Sequence, residues 1–371
     1  MNITIKKKLQ LIFKNAGYQL FFLFYGKIKG ILGPENDKEI SVKKVYKDEN
    51  IGYKIYSINK GRIYTDTVTD TAFILNQKII EGPSFQYRNT KREKCEKNIV
   101  FEKGTPRVMQ KLNGTLFSLL TGGGGNDNYF HWMFDVLPRL GILEKHYSLN
   151  EIDFFLLPNI SKKFQVETLD ILDIAKNKRL SSKNYRHVKA KKVITVDHPY
   201  VLEDDLSYAI QNIPKWITSW LREKFLNNQV DSKKLFSSKF YIDRKDSTSN
   251  TKNLRKIVNE DQVKKILKKN GYASIVLANL SMLEQINIFK NATNIVGLHG
   301  AGFANLPFCP PKTKVLEIKP FTAGVMYSNI AKVSNLDYDD IPVKPMKFDN
   351  SDQYGHLEVP LDILKEKLNK L

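Results

Sequence analysis

Cysteine is nearly absent from this chain: 371 residues contain two, Cys95 and Cys309. Two thiols cannot build a disulfide framework or a four-cysteine zinc site, so they read as reduced packing residues. Arginine is scarce too. Of 59 basic residues, 49 are Lys and 10 are Arg. Nucleic-acid readers rely on the forked guanidinium for bidentate contacts, so no nucleic acid is expected as a partner. Acidic residues number 39, which leaves a formal net charge of +20. That excess attracts nucleotide phosphates, anionic lipid head groups or acidic glycans without choosing among them. A coding bias toward Lys, Ile and Asn accounts for it equally well. No apolar run approaches the roughly 20 residues that span a bilayer. What is present suffices for two ordinary domains, because 42% hydrophobic residues fill real cores and exclude a disordered chain.

The first residues carry their own pattern. Met1–Lys8 is basic, and Leu9–Leu32 mixes apolar and aromatic residues with Lys14, Lys27 and Lys29. No small-residue cleavage site follows, which speaks against a cleaved signal peptide. Two readings stay open for 1–32: a segment lying on an anionic membrane surface, or a first helix packed on its own domain.

From about 40 to 120 the chain shows short β-like runs, such as Arg62–Thr69 and Ala72–Ile80. Thr121–Asn128, TGGGGNDN, is a glycine loop ending in good helix caps. A helix from Tyr129 to about Glu144 follows, kinked or interrupted by Pro138. After it come a strand at Asp153–Leu157, a helix at Phe164–Ala175, a strand at Lys192–Val196 and a helix at Ile210–Leu226. The polar Asn227–Ser238 reads as a linker. Beyond it strands and helices alternate: Lys239–Asp243, Glu260–Lys269, Ser274–Val276, Met282–Asn291, Asn294–Gly297, then a glycine turn and Lys314–Ile318. This alternation predicts an α/β fold with a parallel sheet covered on both faces. The expected domains are 1–228 and 236–350, with an amphipathic helix at 360–371 returning to the first.

Three motifs carry chemistry. In Asn128-Tyr129-Phe130-His131-Trp132-Met133-Phe134-Asp135-Val136-Leu137-Pro138-Arg139-Leu140, His131 and Asp135 stand four apart and share a helix face. A carboxylate beside an imidazole can orient it, and either group can take a proton from a hydroxyl. The same pair could merely tie the helix to a neighbour. In Ile295-Val296-Gly297-Leu298-His299-Gly300-Ala301-Gly302-Phe303-Ala304-Asn305, a strand runs into a glycine turn and a helix that starts near Gly302. Exposed backbone N–H groups there favour a phosphate. The motif is neither a dinucleotide fingerprint nor a P-loop. In Phe240-Tyr241-Ile242-Asp243-Arg244-Lys245-Asp246, a strand delivers Arg244 and Lys245 to its carboxyl end, where two cations can neutralise a diphosphate. A solvated basic loop is the plain alternative. No third ligand stands at a spacing that would make a metal site.

Together the NYFHWMFDVLPRL, FYIDRKD…LRKIVNE and LSMLEQINIFKNATNIVGLHGAGFANLPF segments resemble the glycosyltransferase 61 family. The resemblance covers roughly 126–319, and residues up to about 110 match nothing nameable. It implies a GT-B fold, two Rossmann-like domains facing across a cleft, with inversion at the anomeric carbon and no catalytic metal. It implies a nucleotide-diphosphate sugar as co-substrate, a UDP-sugar first, no other cofactor, and a glycan or lipid-linked glycan acceptor. By resemblance, donor binding falls to Arg244, Lys245, His299, Gly300, Ala301, Gly302 and Asn305, with Glu317 on the nucleotide ribose. Asn128 and Arg139 fall to the acceptor side. The general base is Asp135 or His131; Asp135 is favoured, since a buried carboxylate can be tuned upward. The implied setting is bacterial capsule or lipopolysaccharide synthesis, in the cytoplasm and peripheral on the inner membrane face. Two rivals remain: a metal-dependent GT-A enzyme using Asp337-Tyr338-Asp339, and a non-catalytic glycan- or nucleic-acid-binding protein on a decayed transferase fold.

Overall fold

The computed structural model describes residues 3–47, 50–65, 70–88, 91–120, 127–201, 205–227, 236–245, 255–346 and 355–371. Most of the glycine loop, the centre of the linker and the stretch after Lys245 therefore lie outside the described residues. The chain divides into two compact α/β units. One is Met1–Ser161 with Asp173–Ala209, and the other is Lys162–Leu172 with Ile210–Leu371.

The first unit is built on a mixed ten-stranded sheet, not on a purely Rossmann-like one. Its larger parallel part is Gln110–Ser118, Phe154–Leu157, Arg179–Ser181 and the long strand His187–Val196; Gly30–Leu32 also pairs parallel with Lys78–Ile80. The long strand also pairs antiparallel, through its first residues with Arg62–Thr65 and through its last with Gly52–Asn59. The expected single run Ala72–Ile80 is a hairpin, Thr71–Leu75 against Lys78–Ile80. Asn76 and Gln77 both take positive φ, 48° and 60°, which matches the tight turn that right-twisted strands favour. Ile58, Ile63, Phe73, Leu116, Leu156, Val188 and Val193 form one continuous core across it.

Ile3–Tyr25 is a helix whose last turn docks on this sheet. The Tyr25 ring meets His187 edge-on at 4.8 Å, and the Met109 amide donates to its hydroxyl at 2.9 Å. Gly104 passes beneath Phe22 with φ 64°, too close for any side chain. No described helix is long and apolar enough to cross a membrane.

The second unit is a five-stranded, all-parallel sheet in the order Ala273–Val276, Lys239–Asp243, Asn294–Leu298, Lys314–Pro320, Asp337–Val343. In chain order this is 2-1-3-4-5, a doubly wound arrangement whose order reverses between the first and third strands. The Asp337–Val343 strand corrects the expectation that the sheet ends at Ile318. Hydrophobic runs such as Ile295–Leu298 and Val315–Ile318 are buried throughout, as helices on both faces require.

Three helices fall in a different unit from the one expected. The Trp-bearing helix, Lys215–Phe225, belongs to the second unit rather than the first. Its amphipathic face puts Phe225 against Phe308 at 6.0 Å, and Arg222 donates to the carbonyls of Pro307 and Cys309 at 2.5 and 2.7 Å. Helix Lys163–Ile171 joins it, with Glu167 accepting from the Met282 amide at 2.8 Å. The C-terminal helix, Leu361–Lys370, does not return to the first unit. It buries Leu364 and Leu368 in one cluster with Val263 and Leu267 of the Glu260–Lys269 helix. Cys95 and Cys309 are buried free thiols, and burial pushes both up in pKa, Cys95 to about 11.

Candidate functional sites, one in each unit

In the first unit, two neighbouring parallel strands end side by side, with Thr195 in register with Ser118. Chain leaving Ser118 reaches the Tyr129 helix, and chain leaving Val196 runs through Asp197-His198-Pro199-Tyr200. Both therefore arrive at the carboxyl rim, where α/β sheets place their ligands. The helix is α at Tyr129–His131, π at Trp132–Val136 and α again at Pro138–Leu143. Pro138 has no N–H and its ring would crowd the carbonyl of residue 134, so the preceding turn widens. The Leu137 amide accordingly reaches back to the Trp132 carbonyl at 3.1 Å.

His131 Nδ1 and Asp135 Oδ2 stand 2.7 Å apart on this widened turn. Asp135 is buried, and its other oxygen accepts from the Tyr200 hydroxyl at 2.6 Å. Burial alone would raise the Asp135 pKa, but the His131 charge and hydrogen bond, with the Tyr200 hydrogen bond, outweigh it and hold the carboxylate below its ordinary value. The charge of Asp135 raises the His131 pKa despite desolvation. The lowering at Asp135 is opposite to the upward tuning expected for it. Both its oxygens are engaged, one by His131 and the other by Tyr200. With Nδ1–H fixed on Asp135, the His131 ring keeps Nε2 as its acceptor, on a side chain one-third exposed.

His198 locks this arrangement from behind. Burial, then the charge of Arg139, press its pKa down to about 3, so it stays neutral. Its Nδ1 accepts from the amides of Tyr200 and Val201 at 3.4 and 3.2 Å. Arg139 is fully buried and its Nε donates to the Asp135 carbonyl at 2.8 Å. It therefore ties the helix together from inside, where an exposed acceptor-side residue was expected. Asn128 is the helix N-cap, its side-chain oxygen accepting from the Phe130 amide at 2.9 Å.

In the second unit, the strands on either side of the order reversal end at Asp243 and Leu298, which sets Arg244 and His299 side by side at the switch point. Arg244 and Arg255 each donate through Nη1 to the His299 carbonyl at 3.1 Å. Gly300 permits this, because a Cβ there would lie 3.1 Å from Arg244 Nη1. Gly302 and Gly297 serve packing: a Cβ on either would meet Ile242 or its neighbours at 3.0–3.2 Å. Ala301–Phe308 is a 3₁₀ helix rather than an α-helix, and His299 to Gly302 are half-buried at its start. Lys245 is exposed, with its amide held by Asp243 Oδ1 at 3.0 Å.

Glu317 does not line this rim. It is 1% exposed, with one oxygen 2.5 Å from His299 Nδ1 and the other accepting from the Tyr338 hydroxyl. The ribose contact expected of Glu317 is not matched by this burial; the carboxylate is bonded to His299 and Tyr338 within the unit. Burial and then the Glu317 charge push the Tyr338 pKa up, so the phenol keeps its proton and remains a donor. Asn305 is likewise internal, donating to Gln285 at 3.2 Å while Gln285 donates to the Leu277 carbonyl at 3.0 Å. That chain fastens the 3₁₀ turn to the Met282–Lys290 helix. Of the donor residues read from the sequence, Arg244, Lys245 and His299–Gly302 remain at the rim.

Asp337 and Asp339 lie on the outer strand near its start, at the opposite end from this rim. Asp337 is 3.4 Å from Lys312, and both Asp339 oxygens are held by Lys367 at 2.6 and 2.7 Å. Among the described residues no three His, Cys, Asp or Glu side chains form a metal-holding group. Tyr200, His198 and Tyr338, and the approach of Arg255 to His299, were not among the residues expected at these sites. A polar Asp-His-Pro-Tyr string directly after a strand was a usable signal for the first two, and Arg255 stood in the LRKIVNE segment.

The profile of one family, Glycosyltransferase 61, matches residues 129–316, just over half of the chain. The match begins one residue after the Asn128 cap and ends one before Glu317, so it contains the His131–Asp135 pair and the arginine rim. The chain belongs to the glycosyltransferase 61 family and is a glycosyltransferase. No curated protein matches it.

Proposed function

We propose that this glycosyltransferase takes its sugar from a nucleotide-diphosphate donor, a UDP-sugar first, and passes it with inversion to a carbohydrate hydroxyl without a catalytic metal. The observation that carries the donor reading is the convergence of Arg244 and Arg255 on one carbonyl at the switch point. Two guanidinium groups at the carboxyl rim suit a diphosphate whose negative charge grows as the sugar leaves. Lys245 adds a third cation to the same loop. The acceptor oxygen forms a bond to the anomeric carbon, the bond from that carbon to the diphosphate oxygen breaks, and His131 Nε2 takes the acceptor proton. Asp135 holds the imidazole in the tautomer that can accept it and stabilises the imidazolium that forms. In this reading the first unit supplies the base and the second binds the donor, the division of labour of a GT-B enzyme. The setting we propose is bacterial surface polysaccharide synthesis on a glycan or lipid-linked glycan acceptor; the family and the basic charge support it.

The test is nucleoside-diphosphate binding measured by calorimetry. Arg244→Ala and Arg255→Ala should each weaken UDP by about tenfold to a hundredfold, since a charge-assisted hydrogen bond contributes about 1.5–3 kcal/mol. Asp135→Asn should leave UDP affinity unchanged. If neither arginine variant weakens any nucleoside diphosphate, the donor assignment fails.

A further inference from the structure

Outside both sites, the first unit carries two features that transfer chemistry does not use. One is the outward side of the Ile3–Tyr25 helix. At 100° per residue, Ile12, Phe13, Ala16, Leu20, Leu23 and Phe24 fall within one arc, and all are exposed, Phe13 by 75% and Leu23 by 84%. The docking side is a different one, formed at the last turn by Phe22 and Tyr25. The stripe is flanked by basic sequence, with Lys6, Lys7 and Lys8 in the first turns and exposed Lys14, Lys27 and Lys29 beyond.

The second feature is a cavity of about 450 Å³ lined by Arg107, Val108, Gln110, Lys183, Asn184 and Arg186. It holds three cations and no carboxylate, and Val108 at its edge is 74% exposed. The cavity is built on the segments that hold the helix. Its neighbour Met109 donates to the Tyr25 hydroxyl, and His187 both packs on Tyr25 and bonds the Arg107 carbonyl at 2.8 Å. An exposed apolar stripe, a solvent-facing valine and an open basic cavity are thus carried on connected segments.

We propose that the first unit docks on an anionic bilayer through these two features: the apolar stripe lies in the interface and the Arg107–Lys183–Arg186 cavity takes a phospholipid head-group phosphate. Leu and Phe side chains enter the acyl boundary while the surrounding lysines meet lipid phosphates, the arrangement of an in-plane amphipathic helix. A second copy of this chain is a poorer occupant, because two-fold pairing would bring like-charged lysines and cavities together. The proposal uses no residue of either transfer site and stands independently of the donor reading.

The full-length protein is sedimented with phosphatidylcholine vesicles, with and without phosphatidylglycerol. It should bind only the phosphatidylglycerol vesicles and be released by salt. Arg107→Ala and Arg186→Ala should each weaken binding roughly fivefold, the typical contribution of one surface cation. Leu23→Asp, at an exposed position that should not disturb folding, should abolish it, and turnover of a soluble acceptor should be unchanged in all three. Failure of the wild type to bind phosphatidylglycerol vesicles would overturn the proposal, as would variants that bind as well as it does. Release by inorganic phosphate at constant ionic strength would assign the cavity to a free anion and overturn it too. So would a wild-type dimer that Leu23→Asp dissociates without loss of vesicle binding.

Discussion

Replacing Asp135 by Asn keeps the side chain's shape and removes its charge, and the effect is felt at the two hydrogen bonds the carboxylate makes. The Tyr200 hydroxyl can still donate to the amide oxygen, but the amide nitrogen now faces His131 Nδ1 across the former 2.7 Å contact. An N–H donor there drives the imidazole proton to Nε2, the atom that must accept. An inverted tautomer in a comparable triad costs about 10⁴ in turnover, so kcat should fall on the order of 10²–10⁴-fold. The pH profile is the sharper readout. With Asp135 present, His131 titrates above its ordinary 6.5, so kcat/KM should rise with pH through a point above that value. In the Asn variant the acid limb should move to lower pH, because the carboxylate that favoured the imidazolium is gone while desolvation remains. His131→Gln should abolish the limb with a comparable loss of rate. Stability moves with the same charges. The His131 contribution is complete below pH 6.5 and disappears as pH rises through its raised value. The Asp135 contribution is complete above pH 3.8 and disappears as pH falls through its lowered value. Asp135→Asn should therefore cost most between those pH values, about 1.5–3 kcal/mol for a hydrogen bond between charged groups, and less at pH 8. An unmoved acid limb in Asp135→Asn, or one that persists in His131→Gln, would refute His131 as the base.

Two further outcomes are expected. Transfer should survive excess EDTA, with Arg244, Arg255 and Lys245 supplying the positive potential, and Asp339→Ala should cost only its ion pair with partly exposed Lys367; activity lost on chelation and restored by Mn²⁺ or Mg²⁺ would revive the metal-dependent reading. Leu364→Ala should destabilise the second unit by about 2–5 kcal/mol, measured by denaturant unfolding, since Leu364 is fully buried against the Glu260–Lys269 helix. A near-neutral result would mean that the C-terminal helix contributes little to that core.

What the sequence determined by itself was local and periodic. Strand and helix alternation from Lys239 onward specifies a parallel sheet, because continuous apolar runs such as Ile295–Leu298 need cover on both faces. The His131–Asp135 pairing was legible because four residues make one helical turn, and that contact survives even where the turn widens to π. The placing of Arg244 and His299 at strand ends was legible from where the apolar runs stop. Only the tertiary structure decided matters that depend on which strands become neighbours. The 2-1-3-4-5 order makes the Arg244–His299 edge a switch point, and the pairing of Gln110–Ser118 with His187–Val196 brings Tyr200 to Asp135 across 65 residues. Burial was equally hidden. Glu317, Asn305 and Arg139 carry polar groups that a motif assigns to ligands, yet each is internal and bonded within its unit. A sequence names the chemical group, whereas solvent access and the partners of each lone pair are set by chain segments far apart in sequence, and those decide whether a carboxylate acts as a base or holds one in place.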